Sequence, residues 1–128
     1  MAVGGDGTLH EVVNGLLQRR DGQKVPIALV PNGSGNDTCH TLGISTIEQA
    51  LAWIVKGETI KIDVNRVLMD AETEQDIPIE ERNYRMRYSL INASIGFIAK
   101  CVFRGGELKK YFGSLCYSAA GVVELSGR

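Results

Sequence analysis

Three glycines and one acid stand near the start of this chain, in Val3-Gly4-Gly5-Asp6-Gly7-Thr8. Glycines at that spacing let the backbone come close to a ligand and adopt torsions that a Cβ forbids. A short apolar lead (Ala2, Val3) precedes them, and an amphipathic helical pattern follows at once. A strand, a glycine-rich turn and a helix in that order aim unpaired N–H groups and the positive end of a helix dipole at one point, where a phosphate binds. Asp6 adds the chemistry. A carboxylate among phosphate-cradling amides repels the anion unless Mg²⁺ lies between them, or unless the acid takes a proton from an attacking hydroxyl. The motif points to phosphoryl transfer, with Asp6 as the catalytic or metal-holding residue. Read alone, the same residues also make an ordinary surface turn.

A second loop of the same kind strengthens the first reading. Residues 25–30 form an apolar run between Pro26 and Pro31, consistent with a buried parallel strand. It opens into Pro31-Asn32-Gly33-Ser34-Gly35-Asn36-Asp37. Two such loops, one strand–helix unit apart, lie side by side at the carboxyl edge of one parallel sheet, where open α/β folds bind ligands. Asn32, Ser34, Asn36 and Asp37 offer hydrogen bonds to phosphate, ribose or metal-bound water. The plainer alternative is a loop with a helix cap, Asp37 heading a short segment over 38–42.

The elements that must hold these loops are legible as periodicities. Leu9, Val12, Val13, Leu16 and Leu17 recur at helical spacing, and Thr8 with Glu11 makes a capping box that starts the helix right after the glycines. Arg19, Arg20 and Gly22 close it, and His10 reads as a solvated histidine on its surface. Ser45 and Glu48 make a second capping box ahead of Ile47, Ala50, Leu51, Ile54 and Val55, with Trp53 off that stripe and Gly57 as the stop. The period then changes. Ile60, Ile62 and Val64 alternate with polar residues, 70–81 is an acid-rich solvated hairpin loop, and Tyr84, Met86, Tyr88 and Leu90 form the partner strand. The fold class expected is α/β: a partial Rossmann-like nucleotide-binding domain with a parallel sheet over 1–58, then the start of an antiparallel β domain over 59–128. Phe103, Arg104, Lys109, Lys110, Tyr111 and Phe112 read as a solvated turn flanked by core aromatics, with contact to a membrane surface as the other reading. Tyr111, Leu115, Val122 and Leu125 suggest a closing helix.

Composition bounds the partners. The 128 residues carry a net charge of −1, which gives no electrostatic footprint for nucleic acid. Cys39, Cys101 and Cys116 are far apart and odd in number, so they read as buried thiols in a reducing compartment. No apolar run approaches the roughly 20 residues of a spanning helix, so neither a signal peptide nor a transmembrane segment is expected. The first loop begins three residues after Met1, leaving a strand too short to stand alone. The chain is therefore expected to be a piece of something longer, poorly folded and inactive in isolation.

Gly4-Gly5-Asp6-Gly7-Thr8 followed by His10-Glu11-Val12-Val13-Asn14-Gly15 resembles the catalytic domain shared by diacylglycerol kinases, sphingosine kinases and related bacterial lipid kinases. The Pro31–Asp37 loop is similar to that family's second nucleotide loop, and Asp63-Val64-Asn65 and Asn92-Ala93-Ser94-Ile95-Gly96-Phe97 fall where the family has β-domain strands. The resemblance implies transfer of the ATP γ-phosphate, with Mg²⁺, to the hydroxyl of a lipid substrate at a membrane surface. It implies a cytoplasmic enzyme peripheral to membranes; a homodimer is compatible with the sequence and not required by it. Asp6 would carry the metal–water network or act as base, Gly4, Gly5, Gly7 and Thr8 would hold phosphates, and Asn14, Asn32, Gly33, Ser34, Gly35 and Asn36 would complete the nucleotide cleft. Two departures stand out: the family's upstream elements and the rest of its β domain are missing, and Lys100 follows Gly96-Phe97-Ile98-Ala99 where sphingosine kinases place an acid. Lys100 is thus a candidate substrate residue, favouring neutral diacylglycerol over a sphingoid base. An NAD kinase-like phosphotransferase and a non-catalytic nucleotide-binding fragment are the alternatives.

Overall fold

The structure, a computed structural model, describes residues 1–91 and 93–126, in two compact units, Met1–Asn92 and Ala93–Arg128. The first unit opens with strand β1 (Ala2–Gly4), helix α1 (Asp6–Leu17) and strand β2 (Leu29–Pro31). β1 and β2 pair in parallel, Ala2 opposite Leu29 and Gly4 opposite Pro31, so both glycine loops leave the same edge of one sheet. Leu9 and Val13 on α1 are buried with Ala2 and Val30, which fixes the helix to the pair. The expected strand over 25–30 is shorter and shifted: β1 offers three residues, so pairing covers Leu29–Pro31, and Val25 stays exposed.

Helix α2 (Asp37–Thr41) and helix α3 (Ile47–Lys56) follow. The second capping box is made by Thr46 and Gln49 rather than Ser45 and Glu48: the Thr46 hydroxyl accepts from the Gln49 N–H, and the Gln49 amide oxygen returns to the Thr46 N–H. Only Ala50 of the expected α3 stripe is buried; Ile47, Leu51, Ile54 and Val55 are exposed, because a two-stranded sheet is too narrow to cover them.

Strand β3 (Asn65–Leu68), helical turn α4 (Arg82–Arg85) and strand β4 (Met86–Ser89) complete the unit. β3 and β4 pair antiparallel, Asn65 opposite Ser89 and Leu68 opposite Met86. A parallel sheet followed by a separate antiparallel pair is the order expected, although the strand expected from Ile60 begins only at Asn65, since β4 ends at Ser89. Likewise Tyr84 lies in α4, not in the partner strand. The stretch over 70–81 is more ordered than a solvated loop. Two 3-10 turns (Glu74–Asp76, Ile79–Glu81) bracket Ile77, which is 1% exposed, and Glu74 pairs with both Arg66 and Arg82.

The second unit is a helical hairpin: α5 (Phe97–Phe112), a 3-10 turn (Gly113–Leu115) and α6 (Cys116–Ser126). This overturns two expectations. Residues 103–112 are helical rather than a turn, and 93–96 run irregularly into α5, which Phe97 heads, rather than as a strand, with Asn92, Gly127 and Arg128 outside the described residues. Gly105 explains how closely the two helices pack: a Cβ there would lie 2.5 Å from the Tyr117 ring, so the glycine lets α6 approach. Leu115 sits in the turn and Val122 and Leu125 on α6, both exposed. Cys39 and Cys116 are buried and Cys101 is partly so, all three as free thiols. No described helix is long and apolar enough to cross a membrane.

Candidate functional site

The two loops meet backbone to backbone. Gly4 ends β1 and Gly5 heads α1 in extended conformation; Asn32 to Asn36 connect β2 to α2. The Asn32 N–H donates to the Gly4 carbonyl at 3.0 Å, which continues the parallel pairing into the loops. Beyond it a Cβ on Gly33 would lie 2.3 Å from Gly5 Cα and 2.9 Å from Gly5 N, and one on Gly5 would lie 3.0 Å from Gly33 Cα. These two glycines are required because the loops touch each other there. Gly7 has nothing within 4 Å of a Cβ, and Gly35 only ordinary contacts, so at those positions the loop surface is open. A side chain on Gly4 would run into Thr8, whose hydroxyl and methyl lean back over it.

The second loop holds its own shape through Asn36. Its backbone is left-handed (φ 56°), a conformation Asn tolerates better than most residues. Its side chain accepts from the Gly33 N–H at 2.8 Å and donates to the Gly33 carbonyl at 2.9 Å.

Asp6 ties the loops together. It is the first residue of α1, yet its carboxylate turns away from its own helix to cap α2. Oδ2 accepts the Asp37 N–H at 3.0 Å; Oδ1 accepts both the Thr38 N–H and the Thr38 hydroxyl at 2.9 Å. Partial burial pushes this carboxyl up, but the bonds from Thr38 and Asp37 outweigh it and hold Asp6 below the usual value of 3.8. The expected roles at both helix starts change accordingly. Thr8 and Glu11 do not cap α1, which begins at Asp6 without a side-chain cap, and Asp37 does not cap α2, since Asp6 does so from 31 residues away. Among the described residues no side chain caps the first N–H groups of α1, around Gly7 and Thr8, while those of α2 are taken.

Of the sequence-predicted site residues, Gly4, Gly5, Asp6, Gly7, Thr8, Asn32, Gly33, Ser34, Gly35 and Asn36 lie in or beside the joined loops. Asn14 faces elsewhere. It is buried, donates to the carbonyls of His10 and Tyr88 at 2.9 Å and accepts the Tyr88 N–H at 2.8 Å. One turn on, Gln18 donates to the Met86 carbonyl at 2.9 Å, so this pair of amides fastens α1 to β4. Lys100 is exposed on α5, in the second unit. Thr38 and Gln18 carry contacts that no local pattern announces. Beneath the loops a small, mostly apolar hollow is lined by Asp6, Leu9, Val30, Asn36, Thr38 and Cys39; it is too small for a nucleotide. Burial, then the Asp6 charge, raises the Cys39 thiol and keeps it protonated.

The family described as the diacylglycerol kinase catalytic domain matches residues 1–67, both loops included. The chain belongs to this family. Among curated proteins it is 38% identical over 80 residues to sphingosine kinase B of Dictyostelium discoideum, covering 60% of this chain and 10% of that protein. It is 40% identical over 86 residues to mitochondrial acylglycerol kinase of Homo sapiens, covering 60% of this chain and 20% of the relative. Sphingoid long chain base kinase 4 of Schizosaccharomyces pombe is 32% identical over 104 residues, 79% of this chain and 20% of that protein. The chain thus spans between a tenth and a fifth of these relatives' length. No solved structure matches it significantly.

Proposed function

We propose that this chain carries the ATP-binding part of a lipid kinase, transferring the ATP γ-phosphate to a lipid hydroxyl of the diacylglycerol type at a membrane surface. The observation that carries this reading is the pair of glycine loops fused into one rim. Gly7 and Gly35 are open there, and the leading N–H groups of the diacylglycerol kinase-type helix α1 are left without a side-chain cap. Oriented amides at a helix start suit phosphate oxygens, and glycines without neighbours leave room for them.

The acids beside the rim suit a metal that arrives with the nucleotide. A Cβ on Gly35 would lie 3.5 Å from Asp6 Oδ2 and 3.6 Å from Asp37 Oδ1, so both carboxylates face one open place. Mg²⁺ is commonly held by one or two carboxylates together with phosphates and waters, and that donor set fits. Among the described residues no three His, Cys, Asp or Glu groups converge, as an all-protein cage would need. When bound, Mg²⁺ would offset the charge of the transferring phosphoryl group. Asp6 is a poor general base at neutral pH, since its carboxyl is held below the ordinary range. Its part in this reading is to join the loops and orient the metal's water.

The lipid preference rests on Lys100. A sphingoid base carries an ammonium group beside its accepting hydroxyl, and two unit charges ~4 Å apart interact by roughly 4 kcal/mol at an effective dielectric of about 20. If the position after Ala99 faces the head group, as the likeness to sphingosine kinases implies, Lys100 makes that interaction repulsive, whereas neutral diacylglycerol is tolerated. ATP-dependent phosphorylation of the two lipids in mixed micelles, side by side, tests this. Diacylglycerol should be preferred, and Lys100→Asp should move the preference towards the amine; a clear wild-type preference for sphingosine ends the diacylglycerol reading.

A further inference from the structure

The second loop is stapled to the first at both ends. At its start the Asn32 N–H meets the Gly4 carbonyl; at its end the Asp6 carboxylate meets Asp37 and Thr38; Gly33 and Gly5 touch between them. The start is backbone pairing that any sequence could make. The end depends on side chains, and two of its three bonds come from one residue, Thr38, which is 7% exposed. Its amide and hydroxyl both bind Oδ1, so that oxygen is fully committed, and Oδ2, with a single bond from Asp37, keeps a fixed direction beside Gly35. A carboxylate can accept about four hydrogen bonds, so the free capacity is aimed towards the rim.

We propose that Thr38 is a positioning residue: it holds the Asp6 carboxylate as a strut between the two glycine loops, so that a phosphate-bearing ligand meets both as one surface. This rests on the nucleotide reading of the rim. The strut is rigid because the threonine is buried and both of its donors converge on one oxygen. An ordinary buried threonine would stabilise the fold without affecting how a ligand binds. Hydrogen bonds to a charged group are among the stronger ones, and losing one outer-shell partner commonly weakens ligand binding by 10-fold or more.

The test uses the full-length protein with Thr38→Val, which keeps the shape and removes the hydroxyl, and Thr38→Ser, which restores it. Two quantities are read: the melting temperature and the affinity for Mg²⁺-ATP by calorimetry. In the valine variant ATP should bind about 10-fold more weakly. In the serine variant the affinity should return towards wild type, whatever the melting temperatures do. Unchanged ATP affinity in Thr38→Val overturns the strut, as does a loss that Thr38→Ser does not restore. A wild-type protein that binds no ATP overturns the nucleotide reading and the positioning role with it.

Discussion

Gly33→Val is expected to separate the two loops and to cost about 100-fold in ATP affinity. The new Cβ would begin 2.3 Å from Gly5 Cα and 2.8 Å from Asn36 Oδ1. The first neighbour is backbone at the head of α1, pinned by the pairing of β1 with β2 and by the burial of Leu9 and Val13, so it cannot yield. The second is the oxygen that accepts the Gly33 N–H, so the same change breaks the loop's internal clasp. Overpacking of this kind costs about 1–3 kcal/mol, and the upper end corresponds to roughly 100-fold in binding. Gly7→Val is the informative partner, because nothing lies within 4 Å of its Cβ. It should melt much as wild type does, apart from the helix-propensity change, and still lose ATP, since its side chain fills space kept for phosphate. Calorimetric titration and thermal melts of both variants check the pair. Full ATP affinity in Gly33→Val means that loop contact is not needed for binding.

Asp6→Asn is expected to lower turnover about 10- to 100-fold in the lipid kinase assay of the full-length protein, the scale for losing a partner of a metal's bound water, and to weaken ATP binding as well. An amide has the carboxylate's shape but brings an N–H to one of its two ends. If that end takes the place of Oδ1 it confronts the Thr38 N–H and hydroxyl; if it takes the place of Oδ2 it confronts the Asp37 N–H. Either way a donor meets a donor and the strut opens. The pH dependence separates this from a general-base role. Asp6 titrates below 3.8 in the folded chain, so its contribution to stability is fully present above that value and fades as pH falls through the lowered one. The gap in melting temperature between wild type and Asp6→Asn should therefore hold steady from pH 7 down to about 3.8 and close below it. Equal melting temperatures at pH 7 would falsify the strut.

What the sequence made legible was local. The two glycine loops are short patterns whose residues sit next to one another, and the parallel and antiparallel pairs follow from the order of the elements that flank them. The bond from Asp6 to Thr38 crosses 32 residues, and nothing near Asp6 in sequence announces it. Capping failed for a related reason. Ser45/Glu48 and Thr46/Gln49 overlap as patterns, and only the observed turn of the chain selects the second. At α1 the pattern Thr8/Glu11 loses because Gly5 is already extended and the helix starts three residues earlier. The basic and aromatic residues of 103–112 read as a solvated turn; the Tyr117 ring against Gly105 shows that the stretch is a helix packed on α6. Asn14 reads as a cleft residue by resemblance, whereas its side chain is spent on the backbone of Tyr88.

The central claim is that both loops bind one nucleotide as a single surface. Titrating the full-length protein with Mg²⁺-ATP and following backbone amide resonances by NMR tests it most directly. The account predicts that the amides of Gly5, Gly7 and Thr8 and those of Ser34, Gly35 and Asn36 shift together, with one common dissociation constant. Shifts confined to one loop, or none at either, contradict it.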